Sequence, residues 1–410
     1  MAGALNGPQG TRRRPRLLYV VTEDWYFLSH RLAMARAARE AGFEVHVATR
    51  VVDGAARIEA EGFTLHPIPF VRGRMSPAGT LAAIRALRRV HAAIAPTIAH
   101  HVALQASVLG SLATLDRPVS CINALTGFGY AFTSNRLKAR FLRRVIGALL
   151  RPLFDRRGNV TLVQNPDDRG TLLSLGFTAE RIALIAGSGV EIDRFKPMPE
   201  PDGIPTAAFV GRLLDDKGIR ALVAAMRLLH GRGAQAALLI AGTPDPANPT
   251  SVPPSEAESW SREPNVKWLG NVDDIAGLWA RAHIAVLPSR REGLPKALLE
   301  AAACGRPMIA ADVPGSREIV MPGKTGLLVP VDDAAALADA IDALAADAAM
   351  RASFGQNARR LVLERFSDAI IARQIVDLYR SLLAAAAQGE NSAAGAAYRD
   401  ARTPARDQTP

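Results

Sequence analysis

The chain has 410 residues and a mass of 43.7 kDa, which is enough for two domains that each bury their own core. Its 49% hydrophobic and 22% charged residues are typical of a globular protein. The formal net charge is +11, and the first 194 residues contain 26 Lys and Arg against 14 Asp and Glu. The positive excess therefore belongs to the first half, where it favours an acidic partner such as nucleic acid or an anionic membrane surface.

The two cysteines, Cys121 and Cys304, lie far apart in the sequence, which argues against a disulfide framework and favours a reducing compartment. No uninterrupted apolar run approaches the roughly 20 residues of a transmembrane helix. The arginines near the start are not followed by the apolar core of a signal peptide. We therefore expect a cytoplasmic protein.

The first elements of the chain predict a parallel sheet. Residues 1–15 are interpreted as a disordered basic leader, and the apolar run Arg16–Val21 predicts a buried strand. A helix capped by Ser29 and ending near Gly42 follows, and then a strand over Glu44–Thr49. Strand, helix and strand at this spacing form a βαβ unit, which requires parallel strands.

The connection after the first strand, residues 22–30, has the sequence TEDWYFLSH. In an open α/β sheet, such a connection lies at the carboxyl ends of the strands, where ligands bind. Trp25, Tyr26, Phe27 and His30 therefore have two interpretations. They either shape a substrate pocket or close the connection as part of the local core.

A later strand, within residues 117–132, contains Asn123 and leads into a polar loop with Thr126, Gly127 and Gly129. The segment Ser134–Gly158 then combines apolar residues at helical spacing with eight Arg and Lys against one Asp. It predicts either a basic amphipathic helix that binds an anionic membrane or a helix with a solvated basic face. Nothing here resembles a nucleic-acid-binding module, so we expect no nucleic-acid partner.

The Pro-rich segment Lys196–Pro205 predicts a linker, after which the strand–helix alternation starts again. Arg212 and Lys217 lie in the first loop of this second half, and Gly242 follows a later strand. The chain contains neither a glycine-rich dinucleotide fingerprint nor a phosphate-binding P-loop. It has no Cys and His spacing typical of zinc, and we expect no metal.

The most informative stretch is Pro288–Val320, where a loop is followed by a helix near 294–303 and a strand over Met308–Ala311. Glu292 and Glu300 are eight residues apart, so a helix would place them on nearly the same face, about 12 Å apart along the axis. That distance is too long for one acid–base pair at a single bond. It suits the two ends of an extended ligand, with the amino end of the helix facing phosphate oxygens between them.

Residues 292–330, EGLPKALLEAAACGRPMIAADVPGSREIVMPGKTGLLVP, resemble the E-x7-E region of retaining nucleotide-sugar glycosyltransferases of family 4, the group 1 type. The resemblance implies the GT-B fold, an α/β architecture of two Rossmann-like domains that face each other across a cleft. Residues 16–195 would form the acceptor-binding domain and residues 206–365 the nucleotide-sugar-binding domain, joined by a linker over 196–205. Residues 366–387 would form a helix that crosses back to the first domain, and 388–410 a disordered tail.

The resemblance also implies roles for individual residues. Arg212 and Lys217 would contact the donor diphosphate, Glu292 the hydroxyls of the transferred sugar, and Glu300 the donor ribose. Asn123 stands where related enzymes carry a polar residue, often His, beside the reacting sugar. Gly293, Leu294, Pro295 and Val272 would be further donor-side residues. From their places after strands, Gly242 is a donor-side candidate, and the acceptor-side candidates are His30, Trp25, Thr126 and Gly127.

From this resemblance we expect a metal-independent hexosyl transfer from a UDP- or GDP-sugar with retained anomeric configuration, and no cofactor other than the donor. The segments LSHRLAMARAA and ALTGFGYAFTS resemble the bacterial polysaccharide-assembly branch. That branch implies a polyprenyl-diphosphate-linked saccharide acceptor and a peripheral place on the inner face of the cytoplasmic membrane. The alternatives are a nucleotide-sugar epimerase or phosphorylase on the same fold, or a catalytically silent nucleotide-sugar-binding scaffold.

Overall fold

Two parallel sheets organise the chain in a computed structural model that describes residues 14–71, 75–126 and 137–388, without the side chains of 137–144. The first sheet has seven strands in the order β3-β2-β1-β4-β5-β6-β7. The second has six strands in the order β10-β9-β8-β11-β12-β13. Helices alternate with the strands in both halves, which confirms the predicted α/β class with two Rossmann-like units.

The first sheet is built from apolar strands that are covered by helices on both faces. Its strands are β1 Arg16–Glu23, β2 Glu44–Arg50, β3 Thr64–Pro67, β4 Ile98–Val102, β5 Ser120–Ala124, β6 Val160–Val163 and β7 Ile182–Leu184. Its helices are α1 Asp24–His30, α2 Leu32–Glu40, α3 Ala55–Ala60, α4 Pro77–Ile94, α5 Ala103–Ala113, α6 Leu137–Phe154 and α7 Pro166–Ser174.

The second sheet and the helices that cover it form the largest core cluster of the described residues. Its strands are β8 Thr206–Val210, β9 Ala237–Ala241, β10 Val266–Gly270, β11 Ile284–Leu287, β12 Met308–Ala311 and β13 Gly326–Val329. Its helices are α8 Ile219–Gly231, α9 Pro254–Trp260, α10 Ile275–Ala280, α11 Lys296–Ala303, α12 Ala334–Ala346 and α13 Ala348–Arg365.

The last helix, α14 (Asp368–Ala387), packs against the first sheet although it follows the second. The Tyr379 hydroxyl lies 2.7 Å from the hydroxyl of Tyr19 on β1 and 2.7 Å from Nδ1 of His100 on β4. All three side chains are fully buried. A polar contact of this kind fixes the rotation of α14 against β1 and β4, because a buried hydroxyl without a partner is costly.

The connection after β1 differs from its prediction. Residues 24–30 form helix α1 rather than a loop, and Ser29 lies inside that helix, where its hydroxyl donates to the carbonyl of Trp25. The prediction that Ser29 caps the following helix was therefore wrong. The Asp24 carboxylate accepts hydrogen bonds from the backbone N–H groups of Val52, Asp53 and Gly54. These bonds hold the first turn of α1 against the end of β2.

The strand order reverses between β1 and β4 in the first sheet and between β8 and β11 in the second. In open α/β sheets, ligands bind outside the carboxyl ends of the strands at such reversals. The segments after β1, β5, β6, β7, β8 and β11 all contribute to one cavity. The topology thus brings the loops of both halves to a shared site.

Candidate active site

A cavity of about 520 Å³ lies between the two halves. The first half contributes Trp25, Tyr26, Ser29, His30, Arg31, Thr126, Gln164, Gly187 and Ser188 to its wall. The second half contributes Val210, Gly211, Arg212, Lys217, Leu287, Glu292, Gly293, Leu294, Pro295, Lys296, Ala297 and Glu300. Residues predicted for the donor and acceptor sides therefore line one space.

The second-half wall is centred on the turn that leads into α11. Pro295 occupies the N-cap position and has no side-chain acceptor, so it cannot cap the N–H groups of Lys296 and Ala297, which have no partner within the helix because no turn precedes them. Lys296 and Ala297, the first two residues of the helix, line the cavity. This helix end offers free N–H donors and the positive end of the helix dipole to an anion.

Lys217 and Glu292 form the closest ion pair of this wall, with 2.5 Å between Lys217 Nζ and Glu292 Oε1. The Lys217 side chain is 24% exposed and that of Glu292 is 10% exposed, so solvent screens the pair only partly. Gly218, directly after Lys217, has φ +68°, and a Cβ there would lie 2.1 Å from the carbonyl oxygen of Pro288. The loop that carries Lys217 is thereby held close to the segment that leads to Glu292.

Arg212 follows β8 and pairs with Asp245, with 2.6 Å between Nη1 and Oδ2. Its side chain is 45% exposed, while that of Asp245 is 7% exposed. The Asp245 carboxylate binds one nitrogen of the Arg212 guanidinium, and Arg212 also lines the cavity. Both cations predicted for the donor diphosphate are thus paired with acids in the free protein.

Glu300 is buried within α11, and burial raises its pKa to about 7. The Lys296 ammonium lies 3.9 Å from Glu300 Oε1 and works in the opposite direction, because a positive charge favours the carboxylate. Hydrogen-bond donors from a ligand would also favour the ionised form. Glu300 is therefore sensitive to a ligand that brings hydroxyl groups to it.

The four residues of the connection after β1, for which the sequence allowed either a pocket or a core role, differ in their positions. Trp25, which is 40% exposed, lines the cavity together with Tyr26 and His30, whereas Phe27 is fully buried in the core. The rings of Tyr26 and His30 stack with centroids 4.2 Å apart. Burial, reinforced by the charges of Lys296 and Arg31, lowers the pKa of His30 to about 3. His30 is therefore a neutral imidazole at neutral pH.

Several contacts join the two walls. Asn165, which is fully buried, caps α7 and donates from Nδ2 to the carbonyl of Gly293 at 3.0 Å. The Lys296 ammonium donates to the carbonyl of Ser29 in the opposite half. A Cβ on Gly293 would lie 2.8 Å from the carbonyl oxygen of Thr126. The turn after Glu292 therefore packs directly against loops of the first half.

Three of the described residues that were predicted for the site do not line this cavity. Asn123 is fully buried, and its Oδ1 lies 2.9 Å from Nδ1 of His101 and accepts a hydrogen bond from the Ser111 hydroxyl at 3.1 Å. Val272 packs against the second core, and Gly242 accepts from the indole N–H of Trp268. Gly127 lies outside the described residues.

Arg31 and Asp245 belong to the site but carry no distinguishing signal in the sequence. Arg31 directly follows His30 and is 2% exposed, yet it is one of 50 Lys and Arg residues, and nothing in the sequence separates it from a surface arginine. Asp245 stands in the polar segment after β9, 33 residues from Arg212. Only the parallel pairing of β8 and β9 brings the two together.

Within residues 14–71, 75–126 and 137–388, no three His, Cys, Asp or Glu side chains are grouped as metal ligands. In the same part of the chain, no helix is both long enough and apolar enough to cross a bilayer.

Two parts of the chain match known protein families. Residues 16–161 match "Glycosyl transferase 4-like", and residues 204–347 match "Glycosyl transferases group 1". Together the two matches cover more than two thirds of the chain. Each lies within one of the two halves.

Individual relatives agree with these matches. A capsular polysaccharide biosynthesis glycosyltransferase, CapM of Staphylococcus aureus, is 31% identical over 175 residues, which are 43% of this chain and 46% of the relative. The N,N'-diacetylbacillosaminyl-diphospho-undecaprenol alpha-1,3-N-acetylgalactosaminyltransferase of Campylobacter jejuni is 24% identical over 375 residues, 86% of this chain and 97% of the relative. The chain spans about half the length of the first curated relatives that it matches.

The solved structure of Anabaena HepE in complex with UDP-glucose superposes on this chain with a TM-score of 0.72 at 18% identity. The superposition covers 89% of this chain and 99% of that one. The two proteins therefore share their fold.

Proposed function

Since the chain belongs to the GT-B glycosyltransferases of the group 1, family-4-like type, we propose that it transfers a hexosyl group from a nucleotide-sugar to a hydroxyl group of an acceptor saccharide. The donor is a UDP- or GDP-sugar, and the anomeric configuration is retained. The observation that carries the proposal is the single cavity in which Glu292, Glu300, Arg212 and Lys217 face His30 and its neighbours from the other half.

The second half binds the donor. Glu300 accepts hydrogen bonds from the ribose hydroxyls and Glu292 from the hydroxyls of the transferred sugar. Arg212 and Lys217, together with the N–H groups at the start of α11, bind the diphosphate and stabilise the charge that develops on it as it leaves. The UDP-glucose bound to HepE, a protein of the same fold, supports a donor of this class.

The reaction takes place on one face of the sugar. The bond between the anomeric carbon and the diphosphate oxygen breaks, and its electron pair remains on the diphosphate. The acceptor oxygen bonds to the anomeric carbon from the same face, and its proton passes to the departing phosphate oxygen. The cations Lys217 and Arg212 stabilise this step most strongly when the diphosphate charge is greatest.

The acceptor is a saccharide linked to a polyprenyl diphosphate, used in assembly of a cell-envelope polysaccharide. The Campylobacter relative is named for such a diphospho-undecaprenol acceptor, which supports this class. We place the protein on the inner face of the cytoplasmic membrane, bound through the segment Ser134–Gly158. In the described part of this segment, Val145 is 39% exposed and Leu149 is 66% exposed, near the exposed Arg151.

The donor site is tested by thermal shift and titration calorimetry with UDP, GDP, ADP and their sugar conjugates, in the presence of EDTA. Selective stabilisation by one nucleotide is expected, because a ligand that binds only the native state raises its stability. The matching sugar conjugate and a lipid-linked acceptor are then incubated with the protein, and the anomeric configuration of the product is read by NMR. Absence of binding by every nucleotide would overturn the donor site, binding without transfer would indicate a catalytically silent scaffold, and turnover without an acceptor would indicate an epimerase.

Membrane attachment is tested by sedimentation with vesicles that contain phosphatidylglycerol. Leu149→Gln is expected to weaken sedimentation, because it removes an exposed apolar side chain from the basic helix. Leu228→Gln is the control, since Leu228 is 42% exposed on α8 in the other half. Equal binding by both variants would contradict attachment through this segment.

A further inference from the structure

Arg31 is a buried cation on the first-half wall of the cavity. It lies between α1 and α2 and is 2% exposed. Among the described residues, its guanidinium makes one hydrogen bond, from Nη1 to the carbonyl of His30 at 3.0 Å, and its Nε has no partner. No carboxylate in this part of the chain forms an ion pair with it.

The other deeply buried arginines are well supplied with acceptors. Arg306 is 1% exposed and donates to the carbonyls of Trp279 and Pro199. Arg351 is 6% exposed and binds both carboxylate oxygens of Glu200 at 2.9 Å, in addition to two carbonyls. Because an unpaired buried charge is strongly destabilising, the isolation of Arg31 calls for an acceptor other than the protein.

None of the described first-half residues that line the cavity carries a negative charge. The acids that line the cavity, Glu292 and Glu300, both belong to the second half, and Glu292 is already paired with Lys217. Behind Arg31, burial keeps the phenols of Tyr19 and Tyr379 protonated, because it raises their pKa values, with that of Tyr379 well above its ordinary value. The first-half wall is thus positively charged, and it faces an open cavity.

We propose that Arg31 binds an anionic group of the acceptor, a phosphate or a sugar carboxylate. The assignment to the acceptor rests on the proposed function, in which the first half binds the acceptor and the second half has its own cations for the donor diphosphate. A guanidinium presents paired N–H donors that match two oxygens of such an anion. Arg31 therefore selects acceptors that carry a negative charge close to the accepting sugar.

The test measures binding of inorganic phosphate to the full-length protein by calorimetry, at constant ionic strength set with NaCl. It is run without nucleotide and with a saturating nucleotide that occupies the donor cations. Arg31→Met is compared with Arg89→Met, which removes an exposed arginine of α4. We expect Arg31→Met to weaken phosphate binding at least about tenfold in the presence of nucleotide, because it removes charged hydrogen bonds, and the control to leave it unchanged.

A purely structural role for Arg31 predicts a different pattern. In that case Arg31→Met lowers the melting temperature without any anion present, whereas an unpaired cation predicts an equal or higher melting temperature for the variant. Arg31→Lys keeps the charge but loses the fork, and its phosphate affinity should lie between those of wild type and Arg31→Met. Equal phosphate affinity in wild type and Arg31→Met would overturn the proposal.

Sugar probes separate the two sources of the anion. Glucose 1-phosphate and glucuronate are titrated beside neutral glucose, with nucleotide present. Arg31-dependent binding of the phosphate identifies a phosphorylated acceptor, and that of glucuronate identifies an acidic sugar. If no nucleotide binds at all, the donor assignment fails, while Arg31-dependent phosphate binding in the free protein would still support the anion site.

Discussion

The two walls of the cavity differ in whether their cations are paired with acids. In the second half, Lys217 pairs with Glu292 and Arg212 with Asp245, so both cations already have partners in the free protein. In the first half, Arg31 is buried and has a single carbonyl acceptor among the described residues, and His30 is held neutral. A ligand on the second wall therefore has to exchange partners with existing ion pairs, whereas a ligand on the first wall supplies a partner that is missing.

The difference has a consequence for specificity. In the second wall, Asp245 and Glu292 remain available as partners for Arg212 and Lys217 whenever a ligand leaves. A buried unpaired cation rejects neutral molecules, because a neutral ligand leaves its charge uncompensated. Substitutions in both walls and at their contact test this contrast, and the largest effect is expected at Lys217.

Lys217→Ala should reduce turnover about a hundredfold, since the leaving diphosphate loses one charged contact and Glu292 is left without its cation. Steady-state kinetics with the nucleotide-sugar measures the change, and circular dichroism checks the fold. Lys324→Ala is the matched control, because Lys324 is exposed in the same half and outside the cavity. Turnover of Lys217→Ala within threefold or so of wild type would reject the paired-cation description of the second wall.

Glu300 should make stability dependent on pH. Burial raises its pKa from 4.5 to about 7, so between these values the native state binds the proton more tightly than the unfolded chain. The free energy of unfolding therefore falls as pH rises through this window, by up to about 3 kcal/mol. Urea denaturation of wild type and Glu300→Gln at about pH 5 and about pH 8 measures the difference, and the variant should lack this fall.

Two outcomes sharpen that prediction. Glu40→Gln, which changes an exposed carboxylate on α2, should keep the wild-type dependence on pH. A nucleotide whose ribose hydroxyls donate to Glu300 favours the carboxylate, so its affinity for wild type should rise with pH through about 7. The same pH slope in Glu300→Gln and wild type would show that another group is responsible.

Asn165 tests the contact between the walls. Asn165→Ala removes both the cap of α7 and the hydrogen bond to Gly293, and should lower the free energy of unfolding by about 2 kcal/mol. Asn165→Ser keeps a capping hydroxyl but is too short to reach Gly293. The difference between wild type and Asn165→Ser therefore measures the two contacts of Asn165 Nδ2, with the Gly293 carbonyl and with the Asp168 carboxylate, and nucleotide affinity should fall with the first. Identical stability of Asn165→Ser and wild type would mean that both contacts are dispensable.

The smallest effect is expected behind the first wall. Tyr379→Phe removes the hydroxyl shared by Tyr19 and His100, and should lower the free energy of unfolding by about 1 kcal/mol. Tyr19→Phe and the double variant complete a cycle that isolates the coupling between the two hydroxyls. Strictly additive effects would show that the two hydroxyls do not depend on each other.

The regular part of the fold could be predicted because its signals are local. The apolar run of β1 and the helix-ending Gly305 before the strand Met308–Ala311 follow from burial and from backbone preferences. Helix α1 could not be predicted, because the Asp24 carboxylate that holds it has partners about 30 residues away. From the sequence alone, this aromatic segment is interpreted as a loop, because the contacts that stabilise the helix are not local.

The site shows the same limit. Glu292 and Glu300 stand out through their spacing within a long matching segment, and the structure brings them to the cavity with Arg212 and Lys217. Arg31 has no such spacing, because it stands out only through the lack of acceptors around it among the residues that the structure describes. Asn123 illustrates the converse, since a polar residue at a strand end can turn inward to neighbours on β4 and α5.

The packing of α14 on the first sheet also bears on how the protein is made. Ile371, Ile375 and Leu378 belong to the core cluster that covers one face of β1, and Tyr379 completes its polar contact. During synthesis on the ribosome, the first half therefore emerges early yet lacks one layer of its core until the last helix has been translated. The second half has no such dependence and can complete its core first, so the order of folding can be the reverse of the order of translation.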